Sequence, residues 1–525
     1  MMNWIKKLMN KEEKKERLEW RTKASILAFL RADVEANGAL KATTLPDTPK
    51  KDNEISFAPG LMDAMFGRND SEQATNQLER LTTLISLVAK NGDEDSKAAF
   101  YKAVIETDSV VGIIDAFLQN LVDLELPIEP YLYHYAYQLA TQTANRKSVK
   151  VGIAILGLCQ NDEPVEDLKI LGLHDEFTLF AAIALSNLSN NAIYDLWELA
   201  QKVDGWGKIQ LVERLSTMDL PDEIRDWLVY EGYKNSIMYD YLVYTCAVNG
   251  RLNEKMLNDA IDKRLFKAAG DILETLMNDG PTEGLSDYED APSVVQNYVR
   301  HANAQVLNAS TFMILHQLKA YLEAVQSTDL EGWYQDDLSN CLIDINRLLS
   351  SKDWTVEIKR ALKSPDYEDF WYGKQAAQKV GLDIWNFLWR RLEQHPEDCG
   401  SWYDVTRNAQ AEHAAQIAAH AIQAMPLKEI ATGPEDSMGM GPNYQKYESL
   451  NAVLEFLEAY PGVGQELIVA GLKTPMTRTR NLALKTLERW SSKHWSEVIK
   501  MELVHLNKIE PNASTLEHLE RLLAE

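Results

Sequence analysis

The chain has 525 residues, which is too long for a single hydrophobic core. It must therefore form several domains or a repeat array with a distributed core. Hydrophobic residues make up 45% of it and supply ample material for such a core. The formal net charge of -25 argues against a duplex-binding surface on the body, because phosphate contacts need an excess of Lys and Arg.

Residues 1–31 differ in charge from the rest of the chain. They contain nine Lys and Arg against four Glu, a charge of +5 that leaves -30 for the remainder. An apolar edge lies beside three lysines within this segment: Trp4, Ile5, Leu8 and Met9 beside Lys6, Lys7 and Lys11. The pattern is compatible with peripheral contact on an anionic membrane, with docking on a partner or on the protein's own body, and with a solvated helix. We assign residues 1–70 to this basic helix and a connecting segment.

The remaining patterned segments have the helical period. In "NQLERLTTLISLVAKNG" one apolar face ends at a predicted Asn91-Gly92 C-cap. Pro221, Pro292 and a predicted Ser514…Glu517 capping box mark further helix starts, and runs that alternate apolar and polar residues are missing. The sequence therefore predicts an all-α protein.

The predicted helices resemble one another at intervals of roughly 30 to 40 residues, which is typical of stacked helix pairs. In "TPMTRTRNLALKTLERW", Arg480 falls on the apolar stripe of its own helix. Pro475, Arg480, Ala483 and Leu487 resemble the second helix of a HEAT repeat, with Thr479 where Val is usual. The resemblance implies a right-handed superhelix of helix pairs, a HEAT/ARM-like α-solenoid, in which Arg480 bonds to a carboxylate or carbonyl of a neighbouring repeat.

Two loops interrupt the helical pattern. The acidic segment within "MNDGPTEGLSDYEDAPS" predicts a linker at residues 281–292 between an N-terminal array at 71–280 and a C-terminal array at 293–525, with an ordinary long loop as the alternative. The second loop, "TGPEDSMGMGPNY", carries Met438 and Met440 before a helix. Flexible Met side chains on a loop predict a binding role, and a simple connector is the alternative.

A search for catalytic and metal-binding patterns finds few candidates. The P-loop, GxGxxG, HExxH and GxSxG motifs are missing. His413 and His420 beside Glu412 are too few for a predicted metal site, and Asp336 with Asp337 is weak evidence for an acid–base pair in a chain rich in acids. We expect neither a metal nor a cofactor.

Aromatic residues concentrate between positions 370 and 403. Trp371, Trp385, Trp389 and Trp402 are the candidate binding residues, and Trp385 shares a helical face with Trp389. Such rings either line a groove for a peptide or sugar or pack between helix layers. The tyrosines at 230, 233, 239, 241 and 244 allow the same two interpretations.

These features predict a non-enzymatic helical-repeat scaffold that binds another protein or peptide, and not duplex nucleic acid. The alternative is an all-helical hydrolase or transferase with an acidic, Trp-rich cleft. The four cysteines are far apart and form no CxxC pair: Cys159, Cys246, Cys341 and Cys399. Without a signal-peptide pattern or a run of about 18 apolar residues, the sequence predicts a cytoplasmic location.

Overall fold

The computed structural model describes residues 23–41, 44–48, 72–278, 280–328, 330, 332–437, 439 and 444–524. These residues are all-α, as predicted: they form no β-strand, and their only bridges are the isolated pairs Val34–Leu40 and Ser437–Met476. None of the helices in this part of the chain is long and apolar enough to cross a membrane. The predicted basic helix falls largely on residues 1–22, which lie outside the described ranges.

The described residues fall into two compact units. The first comprises those up to residue 307 together with 314–352. Its helices are α1 (Ile26–Asp33), α2 (Glu72–Asn91), α3 (Glu94–Glu106), α4 (Val111–Asp123), α5 (Tyr133–Gln142), α6 (Arg146–Leu156), α7 (Val165–Gly172), α8 (Asp175–Leu188), α9 (Ala192–Ala200), α10 (Gly205–Ser216), α11 (Asp222–Trp227), α12 (Asp240–Asn249), α13 (Leu252–Met256), α14 (Lys263–Leu276), α15 (Ala291–Ala302) and α17 (Gln335–Ser350). Helix α16 (Ala309–Gln326) is divided between the units, and its residues from 314 onward belong to the first. Short π-helical turns at Ile128–Leu132 and Leu228–Gly232 adjoin α5 and α11.

The second unit comprises residues 308–313, at the start of α16, and the described residues from 353 onward. Its helices are α18 (Thr355–Ala361), α19 (Tyr367–Val380), α20 (Trp385–Gln394), α21 (Cys399–Asn408), α22 (Ala414–Ala424), α23 (Leu427–Ile430), α24 (Gln445–Leu457), α25 (Gln465–Leu472), α26 (Thr477–Trp490), α27 (Glu497–Ile509) and α28 (Ala513–Ala524). Single 3-10 turns at Ala411–His413 and Ser492–His494 precede α22 and α27.

Several helices contact the helix two positions further along the chain as well as their immediate neighbour. In the first unit α6, α8, α10, α12 and α14 pack in succession by this rule. In the second unit α24 packs on α26, α26 on α28, and α25 on α27. Small residues permit close approach: a Cβ on Gly152 of α6 would lie only 2.5 Å from the backbone nitrogen of Ala140 in α5. Each of these helices thus packs against more than one other helix.

Most of the predicted helix ends agree with the structure, and one is wrong. Helix α2 ends at Asn91, and Gly92 adopts the left-handed φ of 62° expected of a C-cap glycine. The predicted Ser514…Glu517 capping box does not form. Asn512 caps α28 instead, because its Oδ1 accepts from the Thr515 N–H at 3.1 Å.

The acidic segment at residues 281–292 lies within the first unit. Leu285 and Tyr288 are buried there, and the Leu285 N–H donates to the carbonyl of Leu276 at the end of α14. The segment is therefore folded against its own unit. The division of the helices into two repeat arrays on either side of it stays a prediction.

Candidate interaction surfaces

Three of the four predicted tryptophans come together with two histidines in the second unit. The ring of Trp385 stacks on Trp389 with centroids 5.7 Å apart, as their i,i+4 spacing predicts, and on His413 with centroids 3.6 Å apart. The ring of His420 lies 5.2 Å from Trp389 and 5.5 Å from Trp402. These five rings form a layer joining α20, α21 and α22, which we call the Trp–His layer.

Two of the five rings in the Trp–His layer, Trp385 and Trp402, are buried, and the other three are partly exposed. Trp402 is fully buried, and its Nε1 donates to the carbonyl of Pro396 at 2.9 Å. Trp385 is only 8% exposed, whereas Trp389 is half-buried and donates from Nε1 to Glu393 at 2.8 Å. Within this layer, therefore, Trp389 is the predicted tryptophan with surface available to a ligand.

The two histidines serve the packing of this layer in different ways. His413 Nδ1 accepts from the Gln410 N–H at 3.0 Å, which caps the turn before α22. His420 presents an Nε2 that is buried without a hydrogen-bond partner. Glu412 lies 3.8 Å from His413 Nε2. Across the described ranges, no group of three or more His, Cys, Asp or Glu side chains could hold a metal ion.

Trp371 lies apart from the Trp–His layer, on the outer face of α19. It is 39% exposed, and Tyr367, one turn earlier on the same face, is 60% exposed. The guanidinium of Arg391 lies 5.6 Å from the centroid of the Tyr367 ring and 4.3 Å from that of Phe370. We call Tyr367, Trp371 and Arg391 the α19 aromatic surface. Its exposed rings offer rigid apolar area beside a cation, the combination enriched at protein interfaces.

Backbone hydrogen bonds hold the described part of the loop that carries Met438 and Met440. Those two methionines lie outside the described residues. Upstream of them, the Gly433 N–H donates to the carbonyl of Lys473, and the carbonyl of Ser437 accepts from the Thr477 N–H. Residues 433–437 are therefore held against the turn between α25 and α26.

Arg480 joins this loop to two other turns. Its side chain is fully buried, and its guanidinium donates to both carboxylate oxygens of Glu510, from Nε at 2.7 Å and from NH2 at 2.6 Å. The remaining nitrogen donates to the carbonyls of Glu435 and Thr474, each at 2.9 Å. The partners lie in the loops before α24, α26 and α28, so one side chain ties three interhelical connections together. The assignment of Arg480 as an inter-repeat residue stays a prediction.

Two other sets of candidates lie elsewhere. Asp336 and Asp337 are both exposed in the first turn of α17. Of the tyrosines between 230 and 244, Tyr233 is buried and donates to Asp271 at 2.8 Å, and Tyr239 packs edge-on against it. Tyr233 and Tyr239 therefore pack against their own unit.

An apolar cleft in the first unit escaped the sequence analysis. It has a volume of about 160 Å³ and lies where α4 ends, beside the π-helical turn before α5 and the end of α6. We call it the α4–α6 cleft; its lining includes Val122, Glu125, Leu126, Ile128, Leu158 and Cys159. Val122 is 55% exposed and Leu124, on the same turn, 54%. The sequence does contain one alternating apolar and polar run at this place, "VDLELPI" at residues 122–128, contrary to the prediction that such runs are missing.

The backbone at the rim of this cleft is strained. Glu125 adopts a left-handed φ of 46°, a conformation that favours glycine. It closes a Schellman motif in which the Glu125 N–H donates to the carbonyl of Val122 and the Leu126 N–H to that of Leu121. The motif places an acidic side chain directly at the edge of the apolar surface.

Compared with protein-family models, curated proteins and solved structures, the chain has no match.

Proposed function

We propose that this protein is a helical-repeat scaffold, a right-handed HEAT-like superhelix of helix pairs, that binds another protein or a peptide. The proposal rests on a recurring sequence separation between residues that are joined by hydrogen bonds. Side-chain hydrogen bonds recur between residues 30 positions apart in both units: Tyr133–Glu163, Tyr137–Asp167, Arg146–Glu176, Asn187–Gly157, Asn235–Gly205, Lys374–Asp404, Arg478–Glu448 and Arg480–Glu510. A recurring offset is what a stack of similar helix pairs produces, because equivalent positions of successive pairs lie side by side.

The packing of each helix on the helix two positions further along supports the same proposal. In a stack of pairs, the first helices of successive pairs form one row and the second helices form another. The succession α6, α8, α10, α12, α14 fits one such row, and the contact of α7 with α9 fits the other. The Arg480–Glu510 bond joins residues 30 positions apart, which supports the inter-repeat role that the HEAT resemblance implies for Arg480.

The α19 aromatic surface is the proposed contact for a protein or peptide partner. Tyr367 and Trp371 expose large rings that the fold does not need to bury, and Arg391 holds a cation against one of them. Aromatic and Arg side chains dominate the binding energy of protein interfaces. A rigid helix presents them, so little conformational entropy is lost on binding.

Affinity capture with the full-length protein, followed by mass spectrometry, tests this function. We expect the wild type to retain a partner protein in stoichiometric amount, and Tyr367→Ala with Trp371→Ala to reduce its recovery about tenfold or more. Tyr334→Ala is the matched control, because Tyr334 is 73% exposed and belongs to the first unit.

Two results would count against the proposal in different ways. Recovery that is equal for the wild type and the double variant would remove the α19 aromatic surface from the proposal. Failure of the wild-type protein to retain any partner would remove the scaffold function itself.

A further inference from the structure

We propose that the basic segment at residues 4–11 of this chain docks in the α4–α6 cleft. The apolar edge of Trp4, Ile5, Leu8 and Met9 contacts the cleft, and the neighbouring lysines face its acidic rim. This inference is independent of the scaffold function and assigns a different surface, in the first unit.

Charge complementarity selects this occupant. Between Lys102 and Arg146 the chain has six Asp and Glu and no Lys or Arg, and between Lys150 and Lys169 it has four acids and no base. The cleft is built from these two stretches, and Glu125 lies in its lining with Asp123 exposed nearby. Residues 1–31 carry a net charge of +5, against -30 for the rest of the chain. Opposite charges around an apolar centre are the usual arrangement of a specific helix-binding surface.

The cleft also has the exposed apolar area that a helix would cover. Val122, Leu124 and Ile128 are 55%, 54% and 36% exposed, and Tyr131 beside them is 41% exposed. These four side chains fall within ten residues of sequence, and two of them, Val122 and Ile128, line the opening of about 160 Å³. An apolar patch of this kind, bordered by charge, marks an interaction site.

The segment is long enough to reach the cleft. The Ile26 N–H donates to the carbonyl of Thr143, just after α5. Helix α5 has ten residues and spans about 15 Å, and Leu132 at its opposite end lines the cleft. Leu8 precedes Lys23 by 15 residues, which span about 22 Å as a helix and more when extended. The segment is therefore long enough to reach the cleft of its own chain.

The left-handed backbone at Glu125 is consistent with a binding role. Glycine would relieve the strain at this position, so packing alone does not explain an acidic residue there. A carboxylate in the lining of a cleft that binds a lysine-rich segment would account for it. Accordingly, Glu125→Gly should leave the melting temperature unchanged or raised while weakening the docking.

Photochemical cross-linking of the full chain tests the proposal. The photoreactive residue benzoylphenylalanine replaces Leu8, and mass spectrometry maps the cross-linked peptides. We expect products that join position 8 to residues 121–132 or 155–159, at the mass of one chain. Val122→Asp with Ile128→Asp should reduce their yield about fivefold or more, as should Lys7→Glu with Lys11→Glu.

The matched control is Val498→Asp with Met501→Asp, two exposed apolar residues on α27 in the second unit, and it should leave the yield unchanged. Melting temperatures of all variants guard against loss of folding. Cross-links that map elsewhere, or a yield unaffected by the cleft variants, would overturn the proposal. A product with the mass of two chains would assign the cleft to a second copy. Binding to phosphatidylserine vesicles with no cleft cross-link would assign the segment to a membrane surface, and either result refutes docking within one chain.

Discussion

Replacing Arg480 by Ala should destabilise the second unit severely. The variant leaves the Glu510 carboxylate buried with the Asn512 N–H, at 3.0 Å, as its remaining described donor. It also strands the carbonyls of Glu435 and Thr474 and empties the space of a large buried side chain. Removal of one partner from a buried ion pair costs about 3–5 kcal/mol, so we expect Arg480→Ala to cost at least about 3 kcal/mol.

Arg489→Ala is the matched control, because Arg489 lies on the same helix with an exposed side chain, and it should cost no more than about 0.5 kcal/mol. Lys485→Ala is a weaker control, since Lys485 Nζ forms a surface ion pair with Glu458 at 2.8 Å. The double variant Arg480→Met with Glu510→Met removes both charges and should be more stable than Arg480→Ala.

Chemical denaturation followed by circular dichroism gives the free energies of unfolding. Because helical stacks can unfold in stages, hydrogen exchange at the amides of α26 and residues 433–437 should report the loss locally. If Arg480→Ala proves no more damaging than Arg489→Ala, the buried bidentate pair does not stabilise this unit and its proposed role between repeats is wrong.

Three further predictions concern packing, pH and nucleic acid. Leu487→Ala should cost about 2–5 kcal/mol in denaturation because Leu487 is fully buried, whereas Leu523→Ala, at 39% exposure, should be nearly silent; equal effects would contradict the packing of α26. Burial raises the pKa of Asp175 from 3.8 to about 6, opposed by the Gly207 N–H, so the folded state binds the extra proton and the contribution of Asp175 to stability should fall as pH rises from about 4 to about 6. Asp175→Asn should lose that dependence, worth about 3 kcal/mol at about 1.4 kcal/mol per pKa unit, and a parallel pH profile of the two proteins would refute the assignment. Finally, the acidic body should not bind duplex DNA tightly at physiological salt, and a sub-micromolar, salt-sensitive complex in a mobility-shift assay would disprove this.

Helical class and the local burial pattern could be predicted because both depend on neighbouring residues. The 3.6-residue period correctly placed Arg480 on the apolar stripe of α26, where Ala483 and Leu487 are buried with it. It likewise placed Trp385 and Trp389 on one face. Which aromatic rings become interior depends on other helices, and sequence period alone could not separate the buried Trp402 from the exposed Trp371.

Features that depend on distant residues were harder to predict. The α4–α6 cleft combines residues 121–132 with residues 155–159, so no single window of sequence contains it. The N-cap of α28 was also hard to predict, although the residues that decide it lie close together in the sequence. Asn512 competes with Ser514 for the cap, and the Glu510 carboxylate favours Asn512 by accepting its backbone N–H. That carboxylate is itself positioned by Arg480.

The Arg480–Glu510 pair supports a role in register as well as in stability. An apolar contact such as that of Leu487 is non-directional, so helices packed by such contacts alone can slide with little penalty. A planar guanidinium bonded to both carboxylate oxygens and two carbonyls fits one arrangement of three loops. A buried charge pair contributes little net stability when compared with apolar residues of the same volume, and it is costly only when one partner is lost. Its presence here is therefore better explained by the geometry it selects, because it holds Glu510, in the connection before α28, to Arg480 of α26.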